Sequence, residues 1–136
     1  MRPKPVPAAI TNRVTVVGPC ASGKSELVAR LKSLGYDARH CAQEHSYVPD
    51  MWQRLSRPQV LVYLDASLAV IANRRKIDYG AAYLAVQRER LAHARAHCHI
   101  YLHTDPLSVD DVAQKVVKEL QALGVEAGSE ETQGDN

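Results

Sequence analysis

Eight consecutive residues constrain this chain more than any other feature. Gly18 to Ser25 read GPCASGKS, preceded by the β-branched run Val14–Val17 and followed by Ser25–Leu34, in which Leu27, Leu31 and Leu34 fall on one helical face. A short continuous apolar run suits a buried parallel strand, and Gly35 is a suitable helix stop. Each letter of the intervening loop has a physical reading. Gly18 lets the chain leave the strand in a tight turn. Gly23 lets backbone N–H groups converge on an anion with no Cβ in the way. Lys24 adds a point charge that can reach a phosphate, and the Ser25 hydroxyl can ligate a divalent cation. The helix beginning there aims its positive dipole end at the same point. Residues Gly18, Pro19, Cys20, Ala21, Ser22, Gly23, Lys24 and Ser25 are therefore expected to form a phosphate cradle.

The remaining pattern alternates strand and helix. Val60–Leu64 (VLVYL) and His99–His103 (HIYLH) read as further buried strands, and Tyr36–Ala42 as a more polar, edge-like one. Helices are expected over Ser67–Arg75, Ala81–His97 and Ser108–Leu123, the last with Ser108 and Asp111 in a capping-box arrangement and Gly124 at its end. Pro49 and Pro58 bracket whatever Asp50–Ser56 forms. Such alternation predicts an α/β fold, a three-layer sandwich around a short parallel sheet of about four strands. Residues 1–12, with Pro3, Pro5 and Pro7, read as a flexible basic arm. Residues 125–136 read as a disordered acidic tail, leaving 13–124 as the folded domain.

Size and charge exclude several classes. A chain of 136 residues is one domain on any size prior. A formal net charge of +2 is too small to imply nucleic acid. No apolar run approaches the roughly 18 residues of a membrane span, and the N-terminus lacks the apolar core of a secretory leader. Three cysteines, an odd number, argue against a disulfide framework and for a reducing, cytoplasmic setting.

With the loop and its flanks in view, the chain resembles the P-loop NTPases, and most closely their small-molecule kinase branch (nucleotide, shikimate and adenylylsulfate kinases). Three further stretches carry the resemblance: VLVYLDASLAVIANRR (60–75), RRKIDYGAAYLAVQRERLAHARAHC (74–98), similar to a lid and its following helix, and HIYLHTDPLSVDDVAQKVVKEL (99–120). It implies the P-loop NTPase fold, ATP rather than GTP as nucleotide, Mg²⁺, and phosphoryl transfer to a small-molecule acceptor. One departure is the stretch from Ala42 to Pro58, too short for the extra strand and helices that such kinases place there. An acceptor site would then need a very small acceptor, or a protein partner or second copy to complete it. The alternative is a nucleotide-binding switch, or a slow ATPase or GTPase, that transfers nothing to a small molecule.

Phosphoryl transfer needs charge neutralisation and a group that orients or deprotonates the nucleophile. Glu44 follows the second strand and should emerge at the same sheet edge as the cradle, as base or Mg²⁺ partner, with His45 beside it. Asp65 ends the apolar run VLVYLD, a position suited either to a metal ligand or to a structural cap. Residues 54–95 carry a basic excess, in which the resemblance makes Arg74 and Arg75 lid arginines and places Arg88 and Arg95 on one helical face. Trp52 suits either a stacking platform or a core anchor. His93, His97, Cys98, His99 and His103 lack paired metal-ligand spacing. Residues 75–78, RKID, echo a guanine-reading motif, with Arg75 in place of its Asn.

Overall fold

The computed structural model describes residues 5–75 and 80–128, without the Arg75 side chain. The elements run β1 (Ile10–Val17), α1 (Lys24–Ser33), β2 (Asp37–His40), a 3₁₀ turn (Gln43–His45), a π-helical turn (Trp52–Ser56), β3 (Pro58–Asp65), α2 (Leu68–Arg75), α3 (Ala81–Arg90), α4 (Ala92–His97), β4 (Ile100–His103) and α5 (Val109–Ala122). The protein is α/β. Among the described residues, four strands form one all-parallel sheet in the order β2-β1-β3-β4.

Alternation along the two central strands sorts their side chains to two faces. Val14 and Val16 of β1 and Val60, Val62 and Leu64 of β3 pack against Leu27, Val28 and Leu31 of α1 and Val112, Val116 and Leu120 of α5. Val17, Leu61 and Tyr63 point the other way, onto Trp52 and onto Leu91 and Ala94 around α4. With both faces covered, the inner stretches Val14–Val17 of β1 and Val60–Leu64 of β3 are apolar at every position but Thr15, as parallel central strands must be. Helix α5 starts in the expected capping box: Ser108 Oγ accepts from Asp111 N, and an Asp111 carboxylate oxygen accepts from Ser108 N.

Several boundaries differ from the sequence expectation. β1 begins at Ile10 rather than Val14, because Ile10 pairs with Pro58 and its N–H donates to Arg57 O. The arm is thus shorter than residues 1–12, and its residues 1–4 lie outside the described ones. Residues 125–128, expected to belong to the acidic tail, are held against the fold. Val125 is buried in the α1/α5 core, Glu126 N donates to Asn12, and Gly128 N donates to Gly35 O. Residues 129–136 lie outside the described part. The single helix expected over 81–97 breaks at Leu91, whose N–H is shared between the carbonyls of Gln87 and Arg88.

Trp52 is a core anchor rather than a stacking platform. It is buried, and its indole Nε1–H donates to His93 Nδ1 at 3.1 Å, while the His93 and His97 rings stack at 4.2 Å between centroids. Burial, and then the neighbouring His97, push the His93 pKa down. A folded pKa below the unfolded value of about 6.5 means the unfolded chain takes the proton first. Stability is then full above that value and falls as pH drops through the folded pKa of His93. The prediction is a loss of thermal stability below about pH 6.5, accompanied by a change in the fluorescence of this sole tryptophan. His93→Ala should remove the fluorescence step; its persistence would assign the step to another group.

Candidate functional site

In a parallel sheet all carboxyl ends lie at one edge. Here the chain leaves β1 for β2 on one side and returns to β3 on the other, so a crevice opens beyond the ends of β1 and its neighbours. The segments that follow the four strands meet there, and the 18–25 loop occupies its centre.

The loop is held from three directions. A Cβ on Gly18 would stand 2.2 Å from Leu64 O and 2.8 Å from Ser22 Oγ, so only glycine lets the loop pass this close to the end of β3. The Thr104 hydroxyl, just past β4, lies 3.1 Å from Asp65 O and 3.3 Å from Ser22 O and ties the loop to two strand ends. From α3, Gln87 grips Cys20 with both amide atoms: Cys20 N–H donates to its Oε1 at 3.1 Å, and its Nε2 donates to Cys20 Sγ at 3.1 Å. Gly23 is the N-cap of α1 at φ +103°, with nothing near its missing Cβ and no capping side chain on the helix. Ser25 lies exposed in the first turn of α1.

Lys24 folds into this loop. Its ammonium donates to Gly18 O at 2.7 Å, to Pro19 O at 3.0 Å and to Glu44 Oε2 at 2.8 Å. These contacts use all three of its N–H donors. Both side chains are at least nine-tenths buried, at 10% and 5% exposure, so the ion pair is shielded from solvent. Glu44 sits on the 3₁₀ turn after β2, at the edge where its sequence position placed it. Among the described residues its other oxygen, Oε1, is buried without a hydrogen-bond partner, and Ser22 Oγ is likewise unpartnered. His45 Nε2 lies 3.3 Å from Cys20 Sγ and 3.9 Å from Glu44 Oε2. The nearby Cys41 thiol is pushed up to about 11 by burial and by the Glu44 charge.

Arg74, at the end of α2, reaches back to the loop and donates to Ala21 O at 2.8 Å. Beside it lies a cleft of about 340 Å³, lined by Ser22 and Gly23 of the loop, Thr104, and the apolar Leu27, Leu107 and Val112. The Arg75 side chain, Lys76 and Asp78, and with them the second lid arginine and the RKID echo, lie outside the described residues.

Asp65 is engaged elsewhere. Its Oδ1 accepts from Ala66 N at 2.9 Å and from Arg88 at 3.1 Å, and its Oδ2 accepts from the Tyr101 hydroxyl at 2.7 Å. This is a cap and ion pair rather than an open metal ligand. Arg95 stacks over Tyr101 at 3.8 Å, so Arg88 and Arg95 do share a side, but they spend it on one aromatic and acidic patch. Burial, followed by the bond to Asp65, pushes the Tyr101 pKa up. The histidines disperse as well: His99 Nδ1 accepts from Leu61 N, and His103 approaches Asp105.

The sequence reading missed Gln87. A signal for it exists, because Leu84, Gln87 and Leu91 share one helical stripe and are all buried, which leaves a single amide among leucines. Searched against known protein families and curated proteins, the chain matches none, so the site rests on its own geometry.

Proposed function

We propose that this chain is a P-loop nucleotide-binding protein that takes Mg-ATP on the 18–25 loop and acts as a kinase-like phosphotransferase on a small acceptor. The observation that carries this reading is the Lys24 ammonium, held in the concavity by the carbonyls of Gly18 and Pro19 and paired with buried Glu44. The residues present fit a Mg-nucleotide. Gly23 leaves open space, α1 starts uncapped, Ser25 is exposed in the first turn, and two buried oxygens at the loop lack partners among the described residues. Ser25 would hold Mg²⁺, which supplies charge neutralisation at the phosphates. The loop amides and Lys24 bind and orient the phosphates, and Arg74 adds positive charge at the loop rim. Glu44 accepts the proton of an acceptor hydroxyl. The apolar cleft beside Arg74 takes the base, whose ring can stack on the guanidinium.

One observation favours a second reading, a nucleotide-binding switch without an acceptor. Asp65 is tied to Arg88 and Tyr101, and among the described residues no strand separates β1 from β2, so acceptor groups are few. A thermal-shift comparison of Mg-ATP with Mg-GTP tests the base, and ligand at 100 Kd is expected to add about 2.7 kcal/mol of stability. No shift with either nucleotide would reject both readings. ADP formed only when an acceptor is added supports the transferase; phosphate released without one supports the switch.

A further inference from the structure

We propose that Cys20, Glu44 and His45 form a binding site for a thiophilic divalent cation, Zn²⁺ by its chemistry, set into the wall of the 18–25 loop. Three donors of different kinds converge from two elements, the loop after β1 and the 3₁₀ turn after β2, with one ligand atom from each within 4.8 Å of the others. The triangle they draw has edges of 3.3 Å (Cys20 Sγ to His45 Nε2), 3.9 Å (Sγ to Glu44 Oε2) and 3.9 Å (Nε2 to Oε2). Tetrahedral zinc with bonds of about 2.3 Å to sulfur, 2.0–2.1 Å to imidazole nitrogen and 2.0–2.2 Å to carboxylate oxygen sets ligand–ligand edges of about 3.4–3.6 Å. The observed face thus needs shifts of only a few tenths of an ångström.

An independent observation marks the same place. Glu44 is 5% exposed, and Oε2, the oxygen of the triangle, also accepts from Lys24, while Oε1 beside it is buried with no partner among the described residues; one cation on two buried oxygens leaves the carboxylate unused capacity for positive charge. The sulfur is prepared as an acceptor. Gln87 Nε2 donates to Cys20 Sγ at 3.1 Å, the kind of supporting bond that holds a ligating thiolate in place. His45 is half exposed and gives the ion a way in. Binding forms Sγ–, Nε2– and O–metal bonds, breaks the Cys20 S–H bond and releases that proton to solvent. The three ligands leave a fourth position for water, the arrangement of a reactive rather than a purely structural zinc site. Cations other than zinc are poorer matches, since Mg²⁺ and Ca²⁺ prefer all-oxygen sites.

This proposal does not depend on the nucleotide reading, and its test uses the metal alone. The untagged full chain, stripped with a chelator, is titrated with Co²⁺ as a spectroscopic stand-in and then with Zn²⁺ in competition. One equivalent of Co²⁺ should bind with a near-ultraviolet thiolate charge-transfer band and the visible bands of four-coordinate cobalt, and Zn²⁺ should abolish both. Cys20→Ser should remove the charge-transfer band, and His45→Ala, a half-exposed position whose loss leaves the core intact, should weaken binding at least tenfold. Lys24→Met removes a like charge 2.8 Å from a ligand oxygen and should tighten binding at least tenfold. The double variant His93→Ala/His97→Ala should bind as the wild type does. A charge-transfer band that survives in Cys20→Ser, unchanged affinity in His45→Ala, or no stoichiometric binding would overturn the site.

Discussion

Replacing Lys24 with Met is expected to weaken Mg-ATP binding at least a hundredfold and to abolish the nucleotide-dependent rise in melting temperature. Hydrogen bonds from a charged donor contribute about 1.5–3 kcal/mol each, and the ammonium that now serves Gly18, Pro19 and Glu44 would reach two phosphates. The same change has a second consequence without ligand. It leaves Glu44 buried and uncompensated, a loss of about 3–5 kcal/mol. Glu44→Gln separates the two effects, because Lys24 keeps both carbonyls and the phosphates keep their cation. That variant should bind Mg-ATP within a few-fold of the wild type and lose about 10²–10⁴ in any acceptor-dependent turnover. The double variant Lys24→Met/Glu44→Gln should recover much of the stability lost by Lys24→Met, with a coupling of about 0.5–3 kcal/mol in a double-mutant cycle. Calorimetric titration and urea unfolding read these outcomes. Near-wild-type affinity in Lys24→Met would remove Lys24 from the binding site altogether.

Gly18→Ala should be the most destabilising single-methyl change in the loop. The added Cβ would meet Leu64 O at 2.2 Å, and that atom is backbone in the middle of the sheet, so no side chain can rotate aside. A loss of about 3 kcal/mol or more follows from such overpacking. Gly23→Ala is the informative contrast. Nothing lies within 4 Å of its Cβ position, so its cost comes only from φ +103° and should stay near about 1–3 kcal/mol. Chemical denaturation of the two variants compares a collision with a conformational strain. Equal losses would mean that the loop does not pass against β3 at this distance.

The parts legible in the sequence were those written in contiguous residues. Val14–Val17, GPCASGKS and the leucine stripe after it announce strand, loop and helix, because each signal is local. The position of Glu44 could be reasoned from strand order, since parallel strands send their following residues to one edge. What stayed hidden depended on contacts across the chain. Asp65 ends an apolar run in either role, and only Tyr101 and Arg88, brought in by β4 and α3, decide that it is a cap. Likewise, nothing near Trp52 says that His93 satisfies its indole, and nothing near Cys20 says that Gln87 holds it. Val125 reads as tail by composition, yet the space between α1 and α5 draws it into the core.

The way Gln87, Leu64 and Thr104 hold the 18–25 loop bears on how the chain comes to be folded. The eight residues of the loop leave the ribosome before the groups that hold them: the carbonyl they pass beneath, the amide that grips Cys20 and the hydroxyl that spans two strand ends come 46, 67 and 82 positions later than their loop partners at 18, 20 and 22. β1 can pair with β2 once His40 is made, yet its other edge stays open until β3 has been synthesised. Such long-range pairing slows folding and exposes strand edges while it waits. The loop would therefore be shaped last although it is translated before every group that holds it. An anion that fits it should speed the final, slow step of refolding rather than the initial collapse.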